Sequence, residues 1–241
     1  MVAQSNRRVQ GLEIHPHLPQ IISKKLECQV SGYDQLPYLA SLSTPNFSAA
    51  RSIARRIAEV VMSLVPYPDL ASLPEEARTA IEQAPVQLNI FKMMANAETC
   101  FIPLSRLGVS ILSRQKLDPK LRELVILRVA QIEGGQYEWI QHVPIAISVG
   151  ATQMQVDAIE RNTIDPECFS DVERAAMRFT EEVVNRVKAD EGTVRELMKF
   201  LSSREIVEMI LAIGFYMTMA RLTETTRTDL DPPSGTKIVD A

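Results

Sequence analysis

Residues 137–142 read Tyr-Glu-Trp-Ile-Gln-His and set a carboxylate, Glu138, four positions before an imidazole, His142. On a helix these two side chains share a face. A carboxylate beside an imidazole raises the basicity of the ring and fixes its tautomer, as a general acid or base requires. Spacing alone does not select that reading, because Glu and His at i and i+4 are common on solvated helix faces. The preceding run, LRELVILRVA from Leu121 to Ala130, adds a second carboxylate, Glu123, among Leu121, Leu124, Val125, Ile126 and Leu127. Two helices joined by Gly134-Gly135 are expected to pack antiparallel. If their crossing brings Glu123 to the second helix, two carboxylates and one imidazole share an apolar pocket. Repulsion and desolvation then push one carboxyl pKa upward, a mark of acid–base sites. A metal at Glu123, Glu138 and His142 would have only three ligands of mixed hardness, so no metal is expected.

The elements that must position these groups read as helices. Asp118-Pro119 supplies an N-cap and a proline at the first helical position, and Gly134-Gly135 stops the helix that follows. The helix carrying His142 comes next and Gly150 stops it. Thr152 with Gln155, Ser170 with Glu173 and Ser202 with Glu205 each fit a capping box. Upstream, Ile53, Ile57, Val60, Val61 and Leu64 line one helix face, ended by Pro66 and Pro68. A second helix begins near Pro74 and a third at Pro85, with Leu88, Phe91, Met94 and Ala95 on its buried side. A fourth runs through Phe101 to Leu112. The last helix, from Glu205 to about Thr225, is apolar nearly all round and must be covered by its own domain or by another subunit. The fold class is therefore all-α. Residues 1–47, with Pro16, Pro19, Pro37 and Pro45, read as a mostly extended N-terminal arm. Residues 48–228 form the helical domain, and the polar stretch 229–241 reads as a loose tail.

Composition narrows the function classes. Of the 241 residues, 46% are apolar, enough for a core. A net charge of −4 with interspersed signs offers no footprint for nucleic acid and no polybasic membrane patch. Cys28, Cys100 and Cys168 form no C-x-x-C pair, which suits a reducing compartment, the cytoplasm. The N-terminus lacks an apolar signal region. The longest apolar run, Met209 to Ala220, is too short to span a bilayer.

The stretch from Arg122 to Ala151, RELVILRVAQIEGGQYEWIQHVPIAISVGA, closely resembles the signature of the carboxymuconolactone decarboxylase family, which includes the alkylhydroperoxidase D-like proteins. The resemblance is strongest over residues 118–160 and extends more weakly from Pro85 to the stretch ending at Asp231. It implies an alkylhydroperoxidase D-like helical bundle and self-association as a homotrimer, homohexamer or dimer. In the family's peroxidase branch, C-x-x-C-x-x-x-H opens the second helix, and a glutamate sits twelve residues before the first cysteine. That glutamate falls on Glu123 and the histidine on His142, while the cysteine positions fall on Gly135 and Glu138. Without those thiols a dithiol peroxidase is disfavoured.

The resemblance to the branch lacking those cysteines implies a cofactor-free reaction on a small lactone, enone or carboxylated molecule. Decarboxylation, isomerisation and cyclisation all remain open. There His142 would donate the proton, hydrogen-bonded through Glu138, and Glu123 would orient the ring or act as the opposing base. A non-catalytic ligand-binding or assembly member is the alternative. Asn96 stands where relatives often carry histidine, and the segment after Arg221 lacks a usual asparagine. Both segments are expected to border the pocket, and these departures imply a specialised catabolic or secondary-metabolism role. Tyr137, Trp139 and Tyr216 complete the candidate substrate contacts, with core or subunit packing as the plainer reading of each. Arg122 and Arg128 could hold a substrate carboxylate, although ion pairs with helix ends are commoner.

Overall fold

The computed structural model describes residues 63–164 and 167–239. The expected arm (1–47) and the apolar series Ile53, Ile57, Val60 and Val61 lie outside these residues. Every regular element among the described residues is helical. Among the described residues, a 3-10 turn (Leu70–Ser72) and three α-helices precede the carboxylate-bearing one: α1 (Glu75–Glu82), α2 (Asn89–Met94) and α3 (Glu98–Ser113). Then come α4 (Pro119–Glu133), α5 (Gln136–Ser148), α6 (Gln153–Glu160), α7 (Asp171–Arg186), α8 (Glu191–Leu197), α9 (Ser203–Thr226) and the single turn α10 (Thr236–Val239).

Local chemistry sets the boundaries of the two helices that matter most. Asp118 Oδ1 accepts the Leu121 N–H at 2.8 Å, with Pro119 in the first turn of α4. Gly134 ends α4 with φ of 71°, a left-handed conformation that glycine adopts without steric cost. All three capping boxes form, at Thr152 and Gln155, Ser170 and Glu173, and Ser202 and Glu205. Each cap of this kind contributes about 1 kcal/mol.

Helix α4 is the axis of the core. Every residue from Leu121 to Ala130 is buried, including Arg122, Glu123 and Arg128. It packs against α5, α7 and α9. Leu124, Ile126 and Leu127 are fully enclosed, and each such burial contributes about 1.5–3 kcal/mol relative to exposure. A second apolar cluster joins Ile81 of α1, Leu88 just before α2, Met94 of α2 and Phe101 of α3 with Tyr137 of α5 and Met219 of α9.

Helix α9 spans 24 residues and is, among the described residues, the one helix long and apolar enough by length and composition to cross a membrane. Ile206, Met209, Ala212, Ile213, Tyr216, Met219 and Ala220 form its buried stripe. Val207, Ile210 and Leu211 on another face remain 55%, 42% and 50% exposed. Its all-round apolar character is thus one core stripe plus one stripe that the described residues leave exposed.

The segment read as a loose tail is held in place over Asp229–Gly235. The Asp231 carboxylate accepts hydrogen bonds from the Tyr137 hydroxyl, from the Asn89 N–H at 2.6 Å and from Asn89 Nδ2 at 2.9 Å. Gln141 Nε2 donates to the carbonyls of Asp231 and Pro232 at 3.1 Å, and Gln141 Oε1 accepts the Ser234 N–H at 2.9 Å. Tyr67 donates to Asp229 Oδ2 at 2.9 Å. Polar character here reflects partners on α2 and α5 rather than solvent. Gly235 is required by close approach: a Cβ there would lie 2.4 Å from the Gln141 carbonyl oxygen and 2.7 Å from Ile145 Cδ1. Gly235→Ala is therefore expected to detach this segment. Limited proteolysis should show faster cleavage within residues 229–239, with the far-ultraviolet circular dichroism of the helical body unchanged.

Candidate active site

Packing of α4 on α5 sets Glu123 Oε2 2.7 Å from His142 Nδ1. Glu123 has no solvent exposure, and its Oε1 accepts from Arg122 Nε at 3.1 Å. A carboxylate only accepts, so Nδ1 carries a proton and the neutral ring presents its lone pair at Nε2. Nε2 has no hydrogen-bond partner among the described residues. The ring meets the edge of Tyr216, centroids 4.6 Å apart and planes at 85°. This places one buried carboxylate behind the imidazole, as in carboxylate–histidine pairs that fix tautomer and orientation.

Glu138 has a different partner from the one its spacing suggested. Its two carboxyl oxygens accept from Thr223 Oγ1 at 3.2 and 3.1 Å, and no hydrogen bond joins it to His142. The hydrogen bond to the ring that was expected of Glu138 is made instead by Glu123. Burial pushes the Glu138 carboxyl above its ordinary 4.5, outweighing the opposing effects of its own backbone N–H, Thr223 and the His142 ring. The carboxyl lies close over Gly135: a Cβ at that position would stand 2.8 Å from Glu138 Oε2 and 2.9 Å from Ala220 Cβ. Gly135 thus admits a carboxylate where a larger residue would displace it. Glu224 Oε1 accepts the Gln136 N–H at 2.8 Å and anchors the start of α5 to α9.

His142 and Glu138 open onto a cavity of about 1030 Å³ bounded by α1, α2, α3, α5 and α9. Tyr137 and Tyr216 also line it, whereas Glu123 stands behind His142. The Tyr216 hydroxyl makes no hydrogen bond to a described residue, and burial holds its pKa well above 10.0, with the nearby Glu123 charge adding to the effect. It is therefore a phenol that stays protonated. Glu208 accepts the N–H groups of Lys116 and Leu117 at 2.7 and 2.8 Å.

Three other candidates stand outside the cavity. Asn96 is exposed and donates to the carbonyls of Pro66 and Met93 at 3.2 and 3.3 Å. Trp139 is half-buried against the main core, because the residue after Glu138 points around the helix from it. Arg221 is exposed and pairs with Glu133 at 2.8 Å. Neither Arg122 nor Arg128 lines the cavity. Arg122 holds Glu123, and Arg128 bonds Gln131, Asn162 and Glu181 at 2.8, 2.6 and 2.9 Å. Sequence reasoning missed Thr223, Gln141, Phe215 and Met219. The spacing of Tyr216, Met219 and Thr223 at three and four was the available signal. Among the described residues, Cys100 is exposed and Cys168 half-buried, and neither lines the cavity. No group of three His, Cys, Asp or Glu side chains is placed to hold a metal ion among the described residues.

Residues 104–182, which include Glu123, Glu138 and His142, match the carboxymuconolactone decarboxylase family. The fold is that of the alkylhydroperoxidase D-like proteins. An alkylhydroperoxidase AhpD core from Ralstonia eutropha JMP134, described as an uncharacterized peroxidase-related protein, has a TM-score of 0.62 at 17% identity, over 73% of this chain and 95% of that one. A peroxidase-related protein from Silicibacter sp. TM1040 has a TM-score of 0.59 at 15% identity, over 73% and 94%. The debrominase Bmp8, in complex with 2,3,4-tribromopyrrole, has a TM-score of 0.58 at 17% identity, over 70% and 92%. No curated protein matches this chain.

The raised Glu138 carboxyl makes stability depend on pH in a defined direction. Between its ordinary 4.5 and its higher value in the fold, the native state holds a proton that the unfolded chain has lost. Stability therefore falls as pH rises through that window, by at most about 1.4 kcal/mol per pH unit. Glu138→Gln keeps an acceptor for Thr223 and removes the titration. Urea denaturation of the two proteins should show the variant gaining relative stability as pH rises above 4.5.

Proposed function

We propose that this protein is a cofactor-independent proton-transfer enzyme acting on a lactone or enone, with His142 as general base and acid. The observation that carries this reading is the hydrogen bond from His142 Nδ1 to buried Glu123, with Nε2 unpartnered on the wall of an apolar cavity. Nε2 removes a proton from carbon adjacent to, or conjugated with, the substrate carbonyl. The C–H electron pair moves into an enolate, and its charge builds on the carbonyl oxygen. The Tyr216 hydroxyl donates to that oxygen. Glu123, backed by Arg122, stabilises the imidazolium. Return of the proton to a different carbon completes a double-bond shift. Glu138, raised toward the neutral acid, is the second proton carrier.

Decarboxylation uses the same groups: loss of carbon dioxide leaves a dienolate, which His142 protonates if the ring enters the cycle as the imidazolium, its Nε2 proton taken from solvent. A proton shift or cyclisation is favoured here because the cations lining the cavity, Arg106 and Arg114, are exposed at its rim. A dithiol peroxidase is disfavoured, since glycine and glutamate occupy the two positions where that branch has thiols. A non-catalytic binding protein would not need the buried Glu123 and Arg122 charges behind the ring. The expected setting is the cytoplasm.

Neutral enones and lactones incubated in deuterium oxide are expected to take up solvent deuterium, read by mass spectrometry. His142→Gln should lower that rate by about 10²–10⁴ with helix content intact, and Tyr216→Phe by about 10²–10³. An unchanged rate in His142→Gln would sink the proposal.

Self-association belongs to the same reading. Val207, Ile210 and Leu211 form an uncovered apolar stripe on a core helix, and a second copy of this chain is its proposed cover. Sedimentation velocity should report a dimer, trimer or hexamer, and Leu211→Glu should shift it toward monomer. A stable monomer in the parent protein would contradict this.

A further inference from the structure

The cavity beside His142 is large for the substrates that a decarboxylase of small lactone acids would take. At the ~30 Å³ that a water-sized group occupies in a liquid, about thirteen non-hydrogen atoms of a carboxymuconolactone need roughly 400 Å³. The cavity measures about 1030 Å³. Its walls are mainly hydrocarbon, including Leu88, Phe91, Met94, Phe101, Ile102 and Phe215.

The polar groups along these walls are mostly committed. Tyr137 and Gln141 bond the Asp229–Gly235 segment, and Glu138 holds Thr223. Arg106 pairs with Glu76 at 3.0 Å, with both side chains largely in solvent at the rim. Arg114 is likewise exposed. Among the described residues, two unspent polar atoms remain in the buried part, His142 Nε2 and the Tyr216 hydroxyl, one acceptor and one donor. Tyr216 is 4% exposed, so its hydroxyl awaits a partner inside the cavity. A ligand carboxylate there would be desolvated without a cation.

We propose that the substrate is an uncharged, largely hydrocarbon carbonyl compound, with its carbonyl end at His142 and Tyr216 and its apolar bulk filling the space between α2, α3 and α9. The orientation of the carbonyl rests on the acid–base reading of His142. The size and charge of the ligand rest on the cavity alone.

Isothermal titration of the full-length protein with δ-hexalactone, δ-octalactone, δ-decalactone and δ-dodecalactone separates the two. Kd should fall about three- to fourfold per added methylene. Decanoate should bind at least about tenfold more weakly than δ-decalactone. Ile102→Glu and Val109→Glu, both at cavity-lining positions, should each weaken δ-dodecalactone by about tenfold. Val109 is 48% exposed, so its variant tests the cavity without threatening the core. Flat affinity along the series, decanoate binding as tightly as the lactone, or indifference to both glutamates would overturn the proposal. Lost chain-length dependence in the parent protein would overturn the substrate class while leaving the acid–base reading standing. Deuterium exchange surviving in His142→Gln would do the reverse.

Discussion

The hydrogen bond between Glu123 and His142 is the constraint around which the core is arranged. A fully buried carboxylate is costly unless paired, and here it has two partners, Arg122 and the imidazole. That pairing ties α4 to α5 at a fixed depth. It also fixes the ring so that one nitrogen faces protein and the other faces the cavity. The apolar residues of α4 make this possible by excluding water from the pair, and α9 closes it with Tyr216 against the ring.

Much of the architecture could be read from local chemistry. Asp118-Pro119, Gly134 and the three capping boxes act within a few residues, so the sequence displays them directly. The family resemblance around residues 118–160 likewise pointed to the helices that carry the site. What lay beyond reach depended on which distant groups meet. Spacing made Glu138 the natural partner of His142, yet the depth of α4 gave that place to Glu123. Thr223, which holds Glu138, comes from α9, 85 residues further along the chain. The polar stretch after residue 228 read as solvent-exposed because its partners, Asn89, Tyr137 and Gln141, lie far away in sequence. Asn96, Trp139 and Arg221 were chosen for their residue types and neighbouring motifs; helix rotation turned Trp139 and Arg221 to other surfaces, and Asn96 sits in the turn between α2 and α3, bonded to Pro66 and Met93.

Glu138 and Gly135 illustrate how one small residue decides the chemistry of its neighbour. The glycine leaves room for a carboxyl group to lie over the start of α5, between Thr223 and the imidazole. A side chain at 135 would compete for that volume. Burial then raises the pKa of Glu138, with the charge of Glu224 adding to the effect. The two acidic groups near His142 thus differ through surroundings alone, one ion-paired in the core and the other held by a hydroxyl.

The link between Tyr137 and Asp231 spans 94 positions. At ribosomal rates of about 5–20 residues per second, the helix bearing the imidazole would wait about 5–20 seconds for that carboxylate to be synthesised. Until then the hydroxyl of Tyr137 and the amide of Gln141 lack their eventual partners. The nascent protein therefore carries its reactive histidine on an incompletely braced helix, and the cavity acquires its settled shape only after most of the polypeptide has been made.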